Sequence, residues 1–111
     1  MDDCLFCKIV AGGIPARVVA EGEQWLAFED VDPKAPVHVL VVPRRHLADI
    51  GELGSDPSSA AAVVAGIAEV ASRLELTAYR TVLNTGAGAG QSVFHVHAHV
   101  LSGRDLGWPP G

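Results

Sequence analysis

The sequence predicts an α+β domain, an antiparallel sheet of about five strands with one long and one short helix. Three features lead to it. Short runs that read as strands recur between glycine and proline punctuation, at residues 17–21, 24–29, 37–43 and 79–84. One alanine-rich segment, 57–75, carries Val63, Ile67, Val70 and Leu74 as an apolar stripe at helical spacing. Near the C-terminus, Phe94-His-Val-His-Ala-His-Val100 alternates apolar and imidazole side chains over seven residues.

In chain order, residues 4–11 have room for one or two helical turns, which Gly12-Gly13 would stop. Ile14-Pro15 reads as extended. The first two strands flank Gly22-Glu23, as a hairpin does. Residues 30–36 form a loop with Pro33 and Pro36, and Val37–Pro43 is apolar enough to be buried on both faces, apart from His38. Residues 47–53 are the short helix. Ser55 and Asp56 suit the cap of the long helix, and Pro57 suits its first turn. After the fourth strand, Asn84 opens a glycine loop, Thr85-Gly-Ala-Gly-Ala-Gly90. Such a loop can bring backbone N–H groups close to an anion, but no Gly-Lys-Ser/Thr follows, so it is not a P-loop.

One domain accounts for all 111 residues, with no repeat or linker. The net charge of −5 and the lack of a basic run beyond Arg44-Arg45 argue against nucleic-acid binding. The longest apolar run, residues 60–68, is too short for a membrane span, and no signal-peptide pattern opens the chain, so a cytoplasmic protein is expected.

If residues 94–100 form a strand, His95, His97 and His99 share one face and Phe94, Val96, Ala98 and Val100 the other. Cα atoms on the imidazole face would lie roughly 6.5–7 Å apart, close enough for several rings to meet one phosphate or metal ion. A single strand histidine is usually a satisfied polar residue, but three in strict alternation would each need a partner. The row therefore reads either as a metal site or as acid/base and nucleophilic imidazoles. Gln91 and Ser92 precede it, with side chains able to contact phosphate oxygens. His38 is either a satisfied core histidine or a residue facing the row. Cys4 and Cys7 form a Cys-x-x-Cys that is either two buried thiols or half a zinc site, with His46 a further candidate ligand. Trp108 is out of place in a tail unless it docks somewhere.

Gly90-Gln-Ser-Val-Phe-His-Val-His-Ala-His-Val resembles the signature of the histidine-triad (HIT) family, and Trp108-Pro-Pro-Gly111 resembles its Hint branch. The likeness runs from Cys4 to Gly111. It implies the HIT-like fold and a homodimer whose long helices pair, with each C-terminal tail reaching the partner's site. It also implies hydrolysis of purine nucleoside 5′-monophosphoramidates of the AMP-NH2 or AMP-lysine type. In that scheme His97, the middle of the row, attacks phosphorus, and His38 fixes its tautomer. Asn84, Gly90, Gln91, Ser92 and His99 hold the phosphate, Asp30 the ribose hydroxyls, and Phe6, Ile9 and Val31 the base. By likeness to zinc-bearing members, Cys4, Cys7, His46 and His95 complete a structural zinc site. Two rivals are a zinc-dependent hydrolase using the triad as ligands and a nucleotide-binding regulatory module without turnover.

Overall fold

The computed structural model describes residues 3–111. Its sheet has five antiparallel strands in the order β1-β2-β3-β5-β4: β1 Val18–Glu21, β2 Trp25–Glu29, β3 Val37–Pro43, β4 Arg80–Val82 and β5 Ala98–Ser102. The long helix is α3, Pro57–Arg73. Two short helices accompany it, α1 Leu5–Val10 and α2 Ile50–Gly54. A single 3-10 turn, Ala87–Ala89, shapes the glycine loop.

Local chemistry sets these boundaries. Cys4 caps α1, its Sγ accepting from the Cys7 amide at 3.3 Å, and Gly12 at φ +81° turns the chain out of the helix. Asp56 precedes α3 with Pro57 in the first turn, yet its carboxylate accepts from Ser59 Oγ and Arg45 rather than from the helix backbone. Gly66 is where α3 meets the sheet. A Cβ there would lie 2.8 Å from the Trp25 ring and 2.9 Å from Val41, so only glycine allows this approach.

The sheet buries both faces. On one, Trp25, Ala27, Val39, Val41 and Val100 pack against Val63 and Val70 of α3. On the other, Leu26, Phe28, Leu40 and Val42 pack under Phe6 of α1. β3 contributes to both, which explains why every residue of it but His38 is apolar.

The histidine row departs from the alternating strand. β5 begins only at Ala98, so His95 and His97 precede it in irregular backbone, and Phe94 is 52% exposed instead of joining the apolar face. The register Val41↔Ala98, carried back two residues, sets Pro43 opposite Val96. Proline has no N–H for a ladder. The Val96 amide instead donates to Leu47 O at 2.7 Å, and His95 Nε2 donates to Pro43 O at 2.8 Å.

Candidate active site and metal centre

A cavity of about 730 Å³ opens on the sheet face opposite α3. Phe28 and Leu40 form part of its floor, and Leu5, Phe6 and Ile9 of α1 form one wall. The loop 30–36 contributes Asp30 and Val31, while His38, Ser92, His97 and His99 gather at one end. Eight of the residues singled out in the sequence therefore meet around one space. The sequence reading missed Leu5, Ala16 and Val93, whose aliphatic side chains carry no chemical signature.

Three anticipated contacts fall elsewhere. Gln91 is buried but turned away from the cavity: its Oε1 accepts from the Gly86 amide, and its Nε2 donates to Ala48 O and Val93 O. That amide ties the glycine loop to the chain before α2. Asn84 and Gly90 lie beside one another, outside the cavity wall. Trp108 is 85% exposed, and Arg80 holds the tail just before it by donating to Leu106 O and Gly107 O at 3.2 and 2.7 Å.

The hydrogen-bond partners assign each imidazole a tautomer. The Lys34 amide donates to His38 Nδ1 at 3.0 Å, which puts the His38 proton on Nε2. That nitrogen lies 2.9 Å from His99 Nδ1 and 3.4 Å from Asp30 Oδ2. His38 therefore donates to His99, and the proton of neutral His99 sits on Nε2, a buried atom with no partner among the described residues. Burial is the main reason both rings stay neutral: it holds His38 below the usual imidazole range and, with His97 and His38 nearby, brings His99 down to about 4. His97 differs. Its Nδ1 donates to the His95 carbonyl at 2.9 Å, and its Nε2 lone pair has no hydrogen-bond partner among the described residues. The expectation that His38 orients His97 is thus corrected: a backbone carbonyl does so, and His38 serves His99.

His95 faces the other way. It is fully enclosed, and with Nε2–H on Pro43 O its Nδ1 lone pair points at sulfur, 3.5 Å from both Cys4 Sγ and Cys7 Sγ. His46 Nδ1 is 3.2 Å from Cys7 Sγ, and all four ligand atoms lie within 4.8 Å of one another. Tetrahedral zinc with bonds of roughly 2.3 Å to sulfur and 2.0–2.1 Å to nitrogen separates S and N ligands by about 3.5 Å, so this donor set fits the ion. Pro43 O supplies the outer hydrogen bond that metal-bound imidazoles require. A second group, Asp30, His38 and His99, is also close-set. The Lys34 N–H occupies His38 Nδ1 and forces the proton onto Nε2, so His38 offers that group no lone pair. The three triad rings do not form a ligand group among the described residues, because each is turned to a different partner.

Fold and site together are those of a histidine-triad protein, and residues 11–106 match the HIT domain family. The chain belongs to that family. It is 43% identical to an uncharacterized HIT-like protein of Synechococcus elongatus over 112 aligned residues, covering 99% of this chain and 98% of that protein. A HIT family hydrolase from Legionella pneumophila superposes with a TM-score of 0.90 at 43% identity, covering 98% of this chain and 100% of the other. A histidine triad nucleotide-binding protein from Candida albicans superposes with a TM-score of 0.85 at 29% identity, over 96% and 83% of the two chains.

Proposed function

We propose that the protein is a hydrolase that cleaves the P–N bond of purine nucleoside 5′-monophosphoramidates through a nucleotidyl-His97 intermediate. The observation that carries this reading is the His97 tautomer: with Nδ1–H held by the His95 carbonyl, Nε2 keeps its lone pair at the cavity wall. The nucleotide-binding and hydrolase relatives support the substrate class and the reaction type.

His97 Nε2 attacks the α-phosphorus, the P–N bond breaks, and the amine leaves with a proton gained in the cavity. Ser92 Oγ–H is the donor on the wall, and it and the buried Nε2–H of His99, whose ring lines the cavity, would hold phosphoryl oxygens as charge builds there. Water then attacks phosphorus and gives up a proton that replaces the one taken by the amine, the bond to His97 breaks, and the nucleoside monophosphate is released. Phe6, Ile9 and Val31 would enclose the base. Asp30 has one carboxylate oxygen engaged by the Asp32 amide and the other 3.4 Å from His38, which leaves it fixed in place to accept from ribose hydroxyls.

Cys4, Cys7, His46 and His95 would hold zinc, which in a closed site supplies cross-linking and no chemistry. Gln91 is assigned a supporting role, as are Asn84 and Gly90. A homodimer, in a cytoplasmic setting, would give exposed Trp108 a surface to dock on, near the partner's cavity.

The test is rapid quenching with a labelled adenosine 5′-phosphoramidate. Wild type should yield an acid-labile nucleotidyl adduct on His97. Turnover without any adduct, or a His97→Ala variant of near wild-type rate, would remove the covalent mechanism. Binding with no turnover would favour a regulatory module.

A further inference from the structure

We propose that Arg104 is a positioning residue for His99, acting through the Lys34 main chain and the His38 ring. The proposal rests on the reading above, in which His99 Nε2 presents a proton to the phosphoryl group.

The chain of contacts is continuous. Arg104 donates from Nε and Nη2 to the Lys34 carbonyl, at 3.3 and 3.1 Å, and from Nη1 to Asp105 O at 3.0 Å. The Lys34 amide donates to His38 Nδ1, and His38 Nε2 donates to His99 Nδ1. A second contact from the same turn grips the same loop. Gly103, at φ +95°, sits so close to Pro36 that a Cβ would lie 2.8 Å from the proline ring. The turn after β5 therefore holds the loop just after the Lys34 amide, at the Lys34 carbonyl and at Pro36. The loop's other anchor is the Asp32 amide on the Asp30 carboxylate. The Lys34 and Asp32 side chains pair with one another in solvent and leave the amide's direction to the main chain.

That direction decides the polarity of the relay. A neutral imidazole has one donor and one acceptor nitrogen. The Asp30 carboxylate, 3.4 Å from His38 Nε2, favours a proton there, and the Lys34 N–H commits Nδ1 to accepting. Without it, His38 can carry its proton on Nδ1. Its Nε2 would then accept from His99 Nδ1–H, and His99 Nε2 would change from donor to acceptor. A lone pair would meet the phosphoryl oxygen where a proton had been. Residues 102–106 lie outside the cavity wall, so this control reaches the chemistry without contact with substrate.

The experiment compares Arg104→Ala, Arg104→Gln and Arg104→Lys with wild type by nitrogen NMR of histidine-labelled protein, and by steady-state turnover of adenosine 5′-phosphoramidate. Wild type should show His38 and His99 each protonated at Nε2. Arg104→Ala and Arg104→Gln should populate Nδ1–H forms of both rings and lower kcat roughly ten- to a hundredfold with KM nearly unchanged, as misplaced catalytic groups do. Arg104→Lys should recover part of both, since an ammonium can still reach the carbonyl. Unchanged ring nitrogens in Arg104→Ala and Arg104→Gln overturn the proposal, and so does a loss of kcat with wild-type tautomers. The NMR arm needs no substrate, so it decides the question even if the phosphoramidase reading fails.

Discussion

The two ends of the histidine row sit four residues apart and have opposite surroundings. His95 is sealed, with its free lone pair directed at two thiols, whereas His97 and His99 line an open cavity. Ring chemistry is the same throughout, so the difference arises from what holds each ring's other nitrogen. Pro43 O takes the Nε2 proton of His95 and frees Nδ1 for sulfur. His95 O takes the Nδ1 proton of His97 and frees Nε2. His38 fills Nδ1 of His99 and leaves a donor at Nε2. Two backbone carbonyls and one imidazole thereby leave three identical side chains with a lone pair aimed at sulfur, a lone pair at Nε2 and a buried N–H.

The sharpest way to break this division is to damage each end and look for effects at the other. His97→Ala should lower kcat on the order of 10⁴-fold or more, as removal of a nucleophile does, while zinc content and melting temperature stay near wild type. Cys4→Ser with Cys7→Ser should do the reverse. Metal analysis should fall from one zinc per subunit to none, and melting temperature should drop by roughly 10 °C for a loss of about 2 kcal/mol. Turnover should persist within about a tenfold range, since neither cysteine touches the reacting atoms. If the serine variant loses turnover as completely as His97→Ala does, the two ends are one catalytic unit.

A smaller effect separates the ends by pH. His99 is held at about 4, against 6.5 for a free imidazole, mainly by burial. Between those values the unfolded chain binds a proton that folded His99 refuses. Stability from this residue is therefore fully present above 6.5 and is lost as pH falls toward 4. His38, also held low by burial, adds to the same slope. Denaturant unfolding of the zinc-free serine variant should show stability falling through that window, and adding His99→Asn should flatten the slope. An unaltered slope would mean that His99 is not the buried neutral ring described above.

Much of this was legible in the sequence. The hairpin, the largely apolar β3 and the long helix follow from periodicity and punctuation, and all three lie where pattern predicts. Cys4, Cys7, His46 and His95 do converge, although they are spread over 92 positions, because the family pattern encodes a tertiary fact that local propensity cannot. What failed was the single strand for the triad. Alternation gave the right neighbours but the wrong backbone, since it ignores the partner strand, and a proline there ends the ladder before His97. Gln91 failed for a related reason. An amide beside a phosphate-binding motif is equally suited to backbone carbonyls, and only the fold shows three backbone groups already claiming it.

The smallest expected effect lies between the two ends, at Phe6. Its ring is buried edge-on against His97 at 5.0 Å and against His95 at 6.1 Å, with Phe28 at 5.4 Å completing the contact. It belongs to α1, whose N-cap is the cluster residue Cys4, and it lines the cavity. If zinc fixes α1, Phe6 is the piece through which that fixation reaches the cavity wall. Phe6→Leu keeps the site apolar but removes the edge-to-face contacts, at a cost of about 1–2 kcal/mol. Zinc content should not change, because no ligand is altered. KM for the phosphoramidate should rise severalfold with kcat nearly constant, as expected when ground-state and transition-state binding weaken together. Combining Phe6→Leu with the two serine changes then measures the coupling. If α1 carries the connection, the KM effects should be less than additive, since a helix already released by loss of zinc has less left to lose. Strict additivity would show that the metal end and the cavity end share a peptide segment and nothing more.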